Sequence, residues 1–252
     1  MMHQFRQRLL AGERLVGPMV TLGAPEVAEI LAKVGFDWLF LDAEHAPFDA
    51  LSLQRMMQAA GNTPCLVRLE ASQEVPIKKA LDVGAAGIIA PMVNTAEQAA
   101  QIVSWCRYSP QGTRGVGLGR AHGYGLEFSD YIEAANESVT VIVQAEHIQA
   151  AEQIEAIVQV EGVDGVLIGP YDLSASLGLL GQIEHPEVVA AIDRVTAVCQ
   201  QAKIPLGVFG LSATAVQPYI EKGYTLITVG VDTLLLSSAA SSLLQQVRSG
   251  IV

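Results

Sequence analysis

Eight short apolar runs alternate with longer segments of helical periodicity along this chain, and this alternation restricts the fold more than any other feature. The runs occupy residues 16–22, 38–42, 65–69, 87–91, 139–146, 165–169, 206–209 and 226–230. Such runs are typical of parallel strands buried on both faces, and each parallel pair needs a crossover, usually a helix. Eight strand–helix units in 252 residues predict an α/β fold, a closed (β/α)8 TIM barrel formed by residues 1–252 as one domain.

The segments between the runs carry apolar residues at three- and four-residue spacing, which indicates amphipathic helices. One such stripe comprises Val27, Ile30, Leu31 and Val34. Glycine follows four of the predicted helices shortly before a strand, as expected at helix C-termini: Gly35, Gly84, Gly162 and Gly223. A doubly wound open sheet is the competing fold, but no G-x-G-x-x-G turn follows the first run to support it.

The composition of the chain argues against nucleic acid and membranes as binding partners. The formal net charge is −11, and the 15 Lys and Arg residues form no cluster of the kind that binds nucleic acid. Cys65, Cys106 and Cys199 are widely spaced in apolar surroundings, as buried reduced thiols of a cytosolic protein are. The N-terminus lacks the pattern of a signal peptide, and no apolar run reaches the ~20 residues of a membrane span. We therefore expect a cytoplasmic protein that contacts neither membrane nor nucleic acid.

Two consecutive predicted strands lead to a carboxylate. Residues 139–146 end at Glu146, and residues 165–172 end at Asp172. Because the C-terminal ends of parallel strands meet at one rim of a barrel, two hard oxygen ligands would lie side by side, as Mg²⁺ or Mn²⁺ prefers. The alternative is a pair of solvated loop acids, but their matching positions at two strand ends favour the metal site.

Other polar side chains are predicted at the same rim. His45 follows the second strand and is a candidate base, although a single histidine is more often structural. Arg68 ends the third strand, where a buried guanidinium needs an anionic partner such as a substrate carboxylate. The five lysines fall on predicted helices or just before strands, so no strand end offers the amine of a Schiff-base aldolase. Any carbanion formed here would need a metal to stabilise it.

One connection, residues 108–125, is unusually long and contains six glycines. Long ordered loops in compact domains usually have a function, so this segment is interpreted as a lid or a subunit-contact loop. The alternative is a mobile surface excursion.

Five motifs together resemble the HpcH/HpaI aldolase family. They lie at residues 36–47 (FDWLFLDAEHAP), 110–117, 144–146, 161–174 and 229–232. The resemblance covers the chain from the first strand to the last helix and implies a barrel like that of other phosphoenolpyruvate- and pyruvate-binding enzymes. It implies a metal-dependent class II pyruvate aldolase, a carbon–carbon lyase that cleaves a 4-hydroxy-2-oxo acid to pyruvate and an aldehyde through a metal-stabilised enolate. The substrate would be 4-hydroxy-2-oxoheptanedioate or a 2-keto-3-deoxy sugar acid.

The same resemblance implies roles for the residues that match the motifs. Glu146 and Asp172 would bind the divalent cation (Mg²⁺, Mn²⁺ or Co²⁺), and pyruvate would chelate it through its 2-oxo and carboxylate oxygens. Gln144 would hold the substrate, and the backbone amides of Tyr171 and Asp172 would meet its carboxylate. Phe209 and Tyr171 differ from the residues common in relatives, and both are expected to shape the aldehyde side of the pocket.

Three further residues complete the implied catalytic set. Arg68 would steady the enolate oxygen, and His45 would act as general base on the 4-hydroxyl through a water. Asp82 would raise the basicity of His45, although its position before the fourth strand predicts a location at the opposite rim unless a neighbouring subunit intervenes. The family forms hexamers, and the apolar C-terminal helix would suit a subunit contact; the alternative is that this face packs on the barrel.

Three other functions remain open from the sequence. A lyase of the citrate-lyase-β or malyl-CoA type shares the barrel and metal but would need a basic groove for CoA. A sugar-phosphate isomerase would bind phosphate near residues 230–232, where Asp232 would repel it. A non-catalytic pyruvate- or oxaloacetate-binding oligomer would keep the binding site without the reaction.

Overall fold

The structure, a computed structural model, describes residues 2–250 and contains a closed barrel of eight parallel strands. Each strand pairs with its neighbours in the sequence, and the last strand closes the barrel against the first. The strands are Leu15–Val20 (β1), Leu39–Asp42 (β2), Cys65–Arg68 (β3), Gly87–Ala90 (β4), Thr140–Ala145 (β5), Gly165–Ile168 (β6), Leu206–Gly210 (β7) and Leu226–Val231 (β8). This confirms the predicted (β/α)8 fold.

Helices precede the first strand and follow every strand. They are Met2–Leu10 (α1), Pro25–Val34 (α2), Ala50–Ala60 (α3), Glu74–Asp82 (α4), Ala96–Cys106 (α5), Phe128–Ser138 (α6), Ile148–Glu152 (α7), Ile154–Ile157 (α8), Pro170–Ser176 (α9), Pro186–Ala202 (α10), Ala213–Glu221 (α11) and Asp232–Ser249 (α12). A short 3-10 helix, Arg120–Gly125, lies between α5 and α6.

The predicted runs coincide with the observed strands to within two residues at each end. Five of the eight strands are buried at every position, which is why their sequences are mostly apolar and do not alternate, with the charged residues Asp42 and Arg68 at strand ends. Helix ends also follow local rules. Gly35 caps α2 with a φ of 100°, a left-handed conformation that glycine adopts without steric cost.

The barrel interior is filled with side chains at its N-terminal end. Helix α1 places Phe5 and Leu9, both buried, against Leu15, Trp38 and other interior residues of the strands. The base of the barrel interior is therefore closed, and the interior opens at the end where the strands terminate.

The glycine-rich connection between α5 and α6 is anchored at the base of the barrel. Arg120 donates a hydrogen bond to the carbonyl of Val83 at 2.9 Å, and Arg114 donates to Asp82 at 3.0 Å. Both acceptors lie where α4 ends and before β4 begins, at the N-terminal side of the strands. A connection fixed there does not cover the rim of its own barrel, so the interpretation as a lid is wrong. Its role in subunit contacts stays a prediction.

Helix α12 leaves the barrel surface. Among its 18 residues only Asp232, the first, is buried, and the helix makes its main contacts near that end with β1 and β8. Its large apolar side chains are exposed: Leu234, Leu235, Leu236, Leu243, Leu244 and Val247. The alternative in which this face packs on its own barrel is therefore wrong.

The three cysteines are buried and free, as predicted. Burial raises the pKa of each thiol to about 12, so none is a reactive thiolate near neutral pH. Between residues 2 and 250, no helix combines the length and the apolar character needed to cross a bilayer.

A buried histidine organises the connection at the base. The backbone N–H of Gly119 donates to Nδ1 of His122, so the proton of the neutral ring resides on Nε2, which lies 3.0 Å from the hydroxyl of Tyr108. Burial and the nearby Arg114 guanidinium lower the pKa of His122, with Asp82 acting in the opposite direction. Protonation would remove the acceptor that Gly119 requires.

We expect the stability of this protein to depend on pH through His122. A histidine whose pKa is lowered by folding stabilises the fold above its unfolded pKa, and this contribution is lost as the pH falls below about 6.5. The variant His122→Gln should be less stable by about 1–3 kcal/mol near pH 7.5, because buried partners lose their hydrogen bonds. Urea unfolding should show this deficit shrinking toward about pH 5.5. A deficit that does not change with pH would contradict the assignment.

Candidate active site

A cavity of about 540 Å³ opens at the C-terminal ends of the strands. The predicted site residues that line it are His45, Arg68, Gln144, Tyr171, Asp172 and Phe209. Glu146 lies directly beside Gln144, two residues further along the end of β5. The structure therefore brings together every predicted site residue except Asp82.

Glu146 is a buried carboxylate, only 3% exposed. Its Oε1 accepts a hydrogen bond from the backbone N–H of Met92 at 2.7 Å, and its Oε2 accepts one from the side-chain amide of Gln144. The pKa of Glu146 is raised to about 7, mainly by burial. The carboxylates of Glu44 and Asp172 contribute to this rise, and the Met92 hydrogen bond and the Arg68 guanidinium oppose it. The site therefore holds a carboxylate that is short of positive charge.

Asp172 lies in the first turn of α9, directly after β6, and is exposed to the cavity and solvent. The residue that joins β6 to α9 is Gly169, and a Cβ there would lie 2.9 Å from Cβ of Glu146 and 3.3 Å from the amide nitrogen of Gln144. Glycine is required at this position because the ends of β5 and β6 approach closely. This approach brings the two predicted metal ligands to one side of the cavity.

The backbone of Met92 has a φ of 54°, which is unusual for a residue other than glycine. Such a conformation costs of order 1–3 kcal/mol and persists only where the surrounding structure holds it. Here it directs the amide of Met92 at Glu146. The end of β4 thus helps to fix the orientation of a carboxylate that belongs to β5.

Arg68 already has a carboxylate partner within the chain. Its Nε donates to Oδ1 of Asp42 at 2.8 Å, and its Nη2 lies 2.8 Å from Oδ2 of the same residue. Asp42 also accepts from the backbone amides of Glu44 and His45, and Oε2 of Glu44 lies 3.2 Å from Nε of Arg68. The sequence interpretation left Arg68 to be paired by a substrate anion, so it missed Asp42.

A signal for the Asp42–Arg68 pair was present in the sequence. Both residues end their strands, and in the barrel they face each other in register. Adjacent strand ends with opposite charges predict such a pair once the strand order is known. Nη1 of Arg68 makes no hydrogen bond to another residue within 2–250 and remains available to a ligand in the cavity.

His45 lies in the connection that follows β2, at the mouth of the cavity. Its side chain is 68% exposed, and its Nε2 lies 3.6 Å from Oε2 of Glu44. Within the part of the chain that the structure describes, no hydrogen bond fixes either ring nitrogen, so the ring can turn toward a ligand at the mouth.

The donors at this site fit a hard divalent cation. They are oxygens, two of them carboxylates from neighbouring strands, and a cation would supply the positive charge that Glu146 lacks. Gln144 Oε1 and Glu44 Oε2 are buried without a hydrogen-bond partner. Within residues 2–250 no cluster of three or more His, Cys, Asp or Glu surrounds a common point. Two protein carboxylates with water and substrate completing the shell is the usual mode for Mg²⁺.

Two residues named from the sequence lie outside this arrangement. Asp82 is bound by Arg114 at the base of the barrel, so it does not reach His45 within one chain. Asp232 is buried and accepts hydrogen bonds from the backbone amides of Thr21, Leu22 and Thr233. Those amides are not free for a phosphate, which removes the basis of the sugar-phosphate alternative.

Among residues 2–250 no lysine lines the cavity, and the basic side chains that line it are Arg68 and His45. The absence of an amine nucleophile agrees with the sequence interpretation, because a Schiff base requires one. The described cavity lining also lacks the cluster of basic side chains that the phosphates of CoA would need. The structure thus gives no support to a CoA-dependent lyase.

Residues 18–239 match the family model for HpcH/HpaI aldolase/citrate lyase. A 4-hydroxy-2-oxovalerate aldolase of Rhodococcus jostii is 41% identical, over 96% of this chain and 94% of the relative. A 4-hydroxy-2-oxo-heptane-1,7-dioate aldolase of Escherichia coli is 40% identical, over 96% of this chain and 94% of the relative. Among solved structures, an HpcH/HpaI aldolase/citrate lyase family protein from Burkholderia cenocepacia has a TM-score of 0.94 at 39% identity, covering 98% of this chain and 99% of that one.

We expect the Asp42–Arg68 pair to be essential for stability. The variant Asp42→Ala leaves a buried guanidinium without its main partner, which should lower the free energy of unfolding by about 3–5 kcal/mol. The control is Glu155→Ala, which breaks the exposed pair with Arg194 and should cost less than about 1 kcal/mol. Chemical denaturation of both variants measures the difference. Equal losses would contradict the buried role of Asp42.

Proposed function

This chain belongs to the HpcH/HpaI aldolase/citrate lyase family and is an aldolase, a carbon–carbon lyase, and we propose that it cleaves a 4-hydroxy-2-oxo acid reversibly to pyruvate and an aldehyde. The observation that carries this proposal is the position of Glu146 and Asp172 after two neighbouring strands, β5 and β6, close to Arg68 and Gln144. This set supports a reaction in which negative charge develops on a substrate oxygen.

Glu146 and Asp172 would hold the divalent cation, for which Mg²⁺, Mn²⁺ and Co²⁺ are the candidates. When bound, such a cation supplies Lewis acidity that stabilises negative charge on the 2-oxo oxygen of the substrate. The hydrogen bonds from Met92 and Gln144 keep the carboxylate of Glu146 oriented toward the site. Outer partners of this kind are important because they fix the direction of a ligand before it binds.

The pyruvate part of the substrate would lie against the ends of β5 and β6. The first-turn amides of α9, at Tyr171 and Asp172, have no acceptor within the helix and would meet the substrate carboxylate. The unpaired Oε1 of Gln144 would accept a hydrogen bond within the site. Nη1 of Arg68 would donate to the 2-oxo oxygen as charge builds there, while Asp42 holds the guanidinium in place.

His45 would move the proton that the reaction requires. In cleavage, its Nε2 would take the proton of the 4-hydroxyl, directly or through a water, as the bond between C3 and C4 breaks. In condensation the same nitrogen would return it. Asp82 could assist only from a neighbouring subunit, because in its own chain it lies at the other end of the barrel.

We expect Glu146→Gln and Asp172→Asn each to abolish metal-dependent activity. The loss should exceed the roughly 10–100-fold that follows removal of an outer-shell partner, because a ligand itself is removed. Exchange of pyruvate methyl protons into D₂O measures the half-reaction, and titration with Mn²⁺ measures the site without turnover. Glu146→Gln should fold, since a neutral amide accepts the Met92 hydrogen bond without the cost of a buried charge.

The control for these variants is Asp193→Asn, which alters an exposed carboxylate that is paired with Lys222 and does not line the cavity. It should retain both exchange and metal affinity. Full turnover in excess EDTA, or by either ligand variant, would refute the metal assignment. A protein that binds pyruvate without any exchange would instead be the non-catalytic oligomer.

We also propose that the chain forms a homo-oligomer, a hexamer, through α12. The support is the row of exposed apolar side chains on a helix that touches its own barrel only near its start. Covering such a face with another copy removes apolar surface from water.

We expect the double variant Leu243→Asp/Leu244→Asp to shift the protein to a smaller species, because two charges would enter an apolar contact. Light scattering coupled to gel filtration measures the mass. The matched control is Ser241→Asp/Gln245→Asp on the same helix, which should shift it less. An unchanged mass in the leucine variant would refute the role of α12.

A further inference from the structure

The cavity has two chemically different halves. The ends of β2, β3, β5 and β6 contribute the charged and polar groups already described. The opposite wall comes from β7, the start of α11 and the neighbouring strands β8 and β1. Its side chains are Phe209, Leu211, Ala215, Tyr219, Val231 and Met19. We call this second half the apolar wall.

Close packing of α11 on β7 builds this wall. Gly210 ends β7, and a Cβ there would lie 2.7 Å from Val216 and 3.2 Å from Cβ of Ala215. The absence of a side chain at 210 lets the first turn of α11 approach the strand, so Ala215 and Tyr219 lie along one side of the cavity. Leu211 follows at the mouth, where it is 61% exposed.

The apolar wall contains no cation. The basic side chains that line the cavity, Arg68 and His45, both belong to the polar half, and Arg68 is held by two contacts to Asp42. The neighbouring basic residue on α11, Lys222, lies at the end of that helix in an exposed pair with Asp193. The hydroxyl of Tyr219 is the one polar side-chain group on this wall, so a carboxylate placed there would lose water and gain at most one neutral hydrogen bond.

The charge of the polar half makes an anion still less favourable there. Asp42, Glu44, Glu146 and Asp172 are all acidic. The Arg68 guanidinium and the proposed divalent cation together offset three of these four charges, so the polar half keeps an excess of negative charge. A substrate with a second carboxylate would place it in this negative field. A neutral hydrocarbon group experiences no such repulsion, and it removes apolar surface from water as it binds.

The geometry points to an aldehyde subsite on the apolar wall that takes an uncharged aliphatic or aromatic substituent and rejects a carboxylated one. This inference rests on the proposed function, because it assigns the group on C4 of the 4-hydroxy-2-oxo acid. It separates the two kinds of substrate named by the relatives, a valerate whose C4 carries a methyl group and a heptanedioate whose chain ends in a second carboxylate. The wall fits substrates of the first kind and longer neutral analogues of it.

The test compares aldehydes of similar length in condensation with pyruvate and Mn²⁺. The neutral series is acetaldehyde, propanal, butanal and pentanal, and the charged member is succinic semialdehyde, with its methyl ester as the matched neutral compound. We expect kcat/KM to rise about fourfold for each added methylene until the wall is covered. Succinic semialdehyde should fall at least about tenfold below its methyl ester.

A charge introduced at the wall should reverse this order. In Leu211→Arg, a guanidinium at the mouth would pair with the distal carboxylate, and the ratio of kcat/KM for succinic semialdehyde over its methyl ester should rise at least about tenfold. Leu211→Gln, a neutral polar substitution, is the control and should change the ratio much less. Leu211 is exposed, so either substitution should be tolerated by the fold.

Exchange of pyruvate methyl protons into D₂O is measured for each protein, and the aldehyde rates are divided by it. Exchange together with a preference for the neutral aldehydes supports the inference. Exchange together with an equal or greater rate for succinic semialdehyde overturns the inference and leaves the aldolase intact. No exchange in the wild-type protein, with any divalent metal, overturns the proposed function and the inference with it.

Discussion

Convergence of acidic side chains on one rim is the constraint on which this site depends. Four carboxylates reach the cavity region from β2, β5 and β6 or the turns that follow them, and the one guanidinium among them, Arg68, offsets only part of their charge. Burial then keeps the pKa of Glu146 near neutral pH, so its charged form depends on further positive charge. Two local conformations position the carboxylate of Glu146. The backbone of Met92, which has a positive φ, directs its amide at this carboxylate, and the absence of a side chain at Gly169 leaves room for it.

Strand positions were predictable from the sequence because a strand buried on both faces is apolar throughout, and glycine at a left-handed helix end marks where the next strand begins. Site residues at strand ends followed from the same logic, since all strands of a parallel barrel end at one rim. The partner of Arg68 was not predicted, because Asp42 was considered only as part of a motif and not as the residue facing Arg68 across β2 and β3.

The position of the glycine-rich connection could also not be predicted from the sequence. Glycines indicate that a backbone is flexible, but not which surface it packs against. Here Arg114 and Arg120 bind the connection to Asp82 and Val83 at the end of α4, which lie more than 30 residues earlier in the chain. Asp82 shows the related limit. The family resemblance implied a place beside His45, whereas the topology of a single chain puts Asp82 at the N-terminal end of the barrel and His45 at the C-terminal end. Position along a strand–helix unit was the better guide.

The plug formed by Phe5 and Leu9 has a consequence for the order of events at the other end. Because the base of the barrel is packed with side chains, the cavity opens only at the C-terminal ends of the strands. Both products of a cleavage would leave through the opening by which the substrate entered. Gln144 and Glu146 lie deep, while Leu211 stands at the threshold. If the substrate lies as proposed, the fragment next to Leu211 would leave first and the fragment next to Gln144 and Glu146 would leave last.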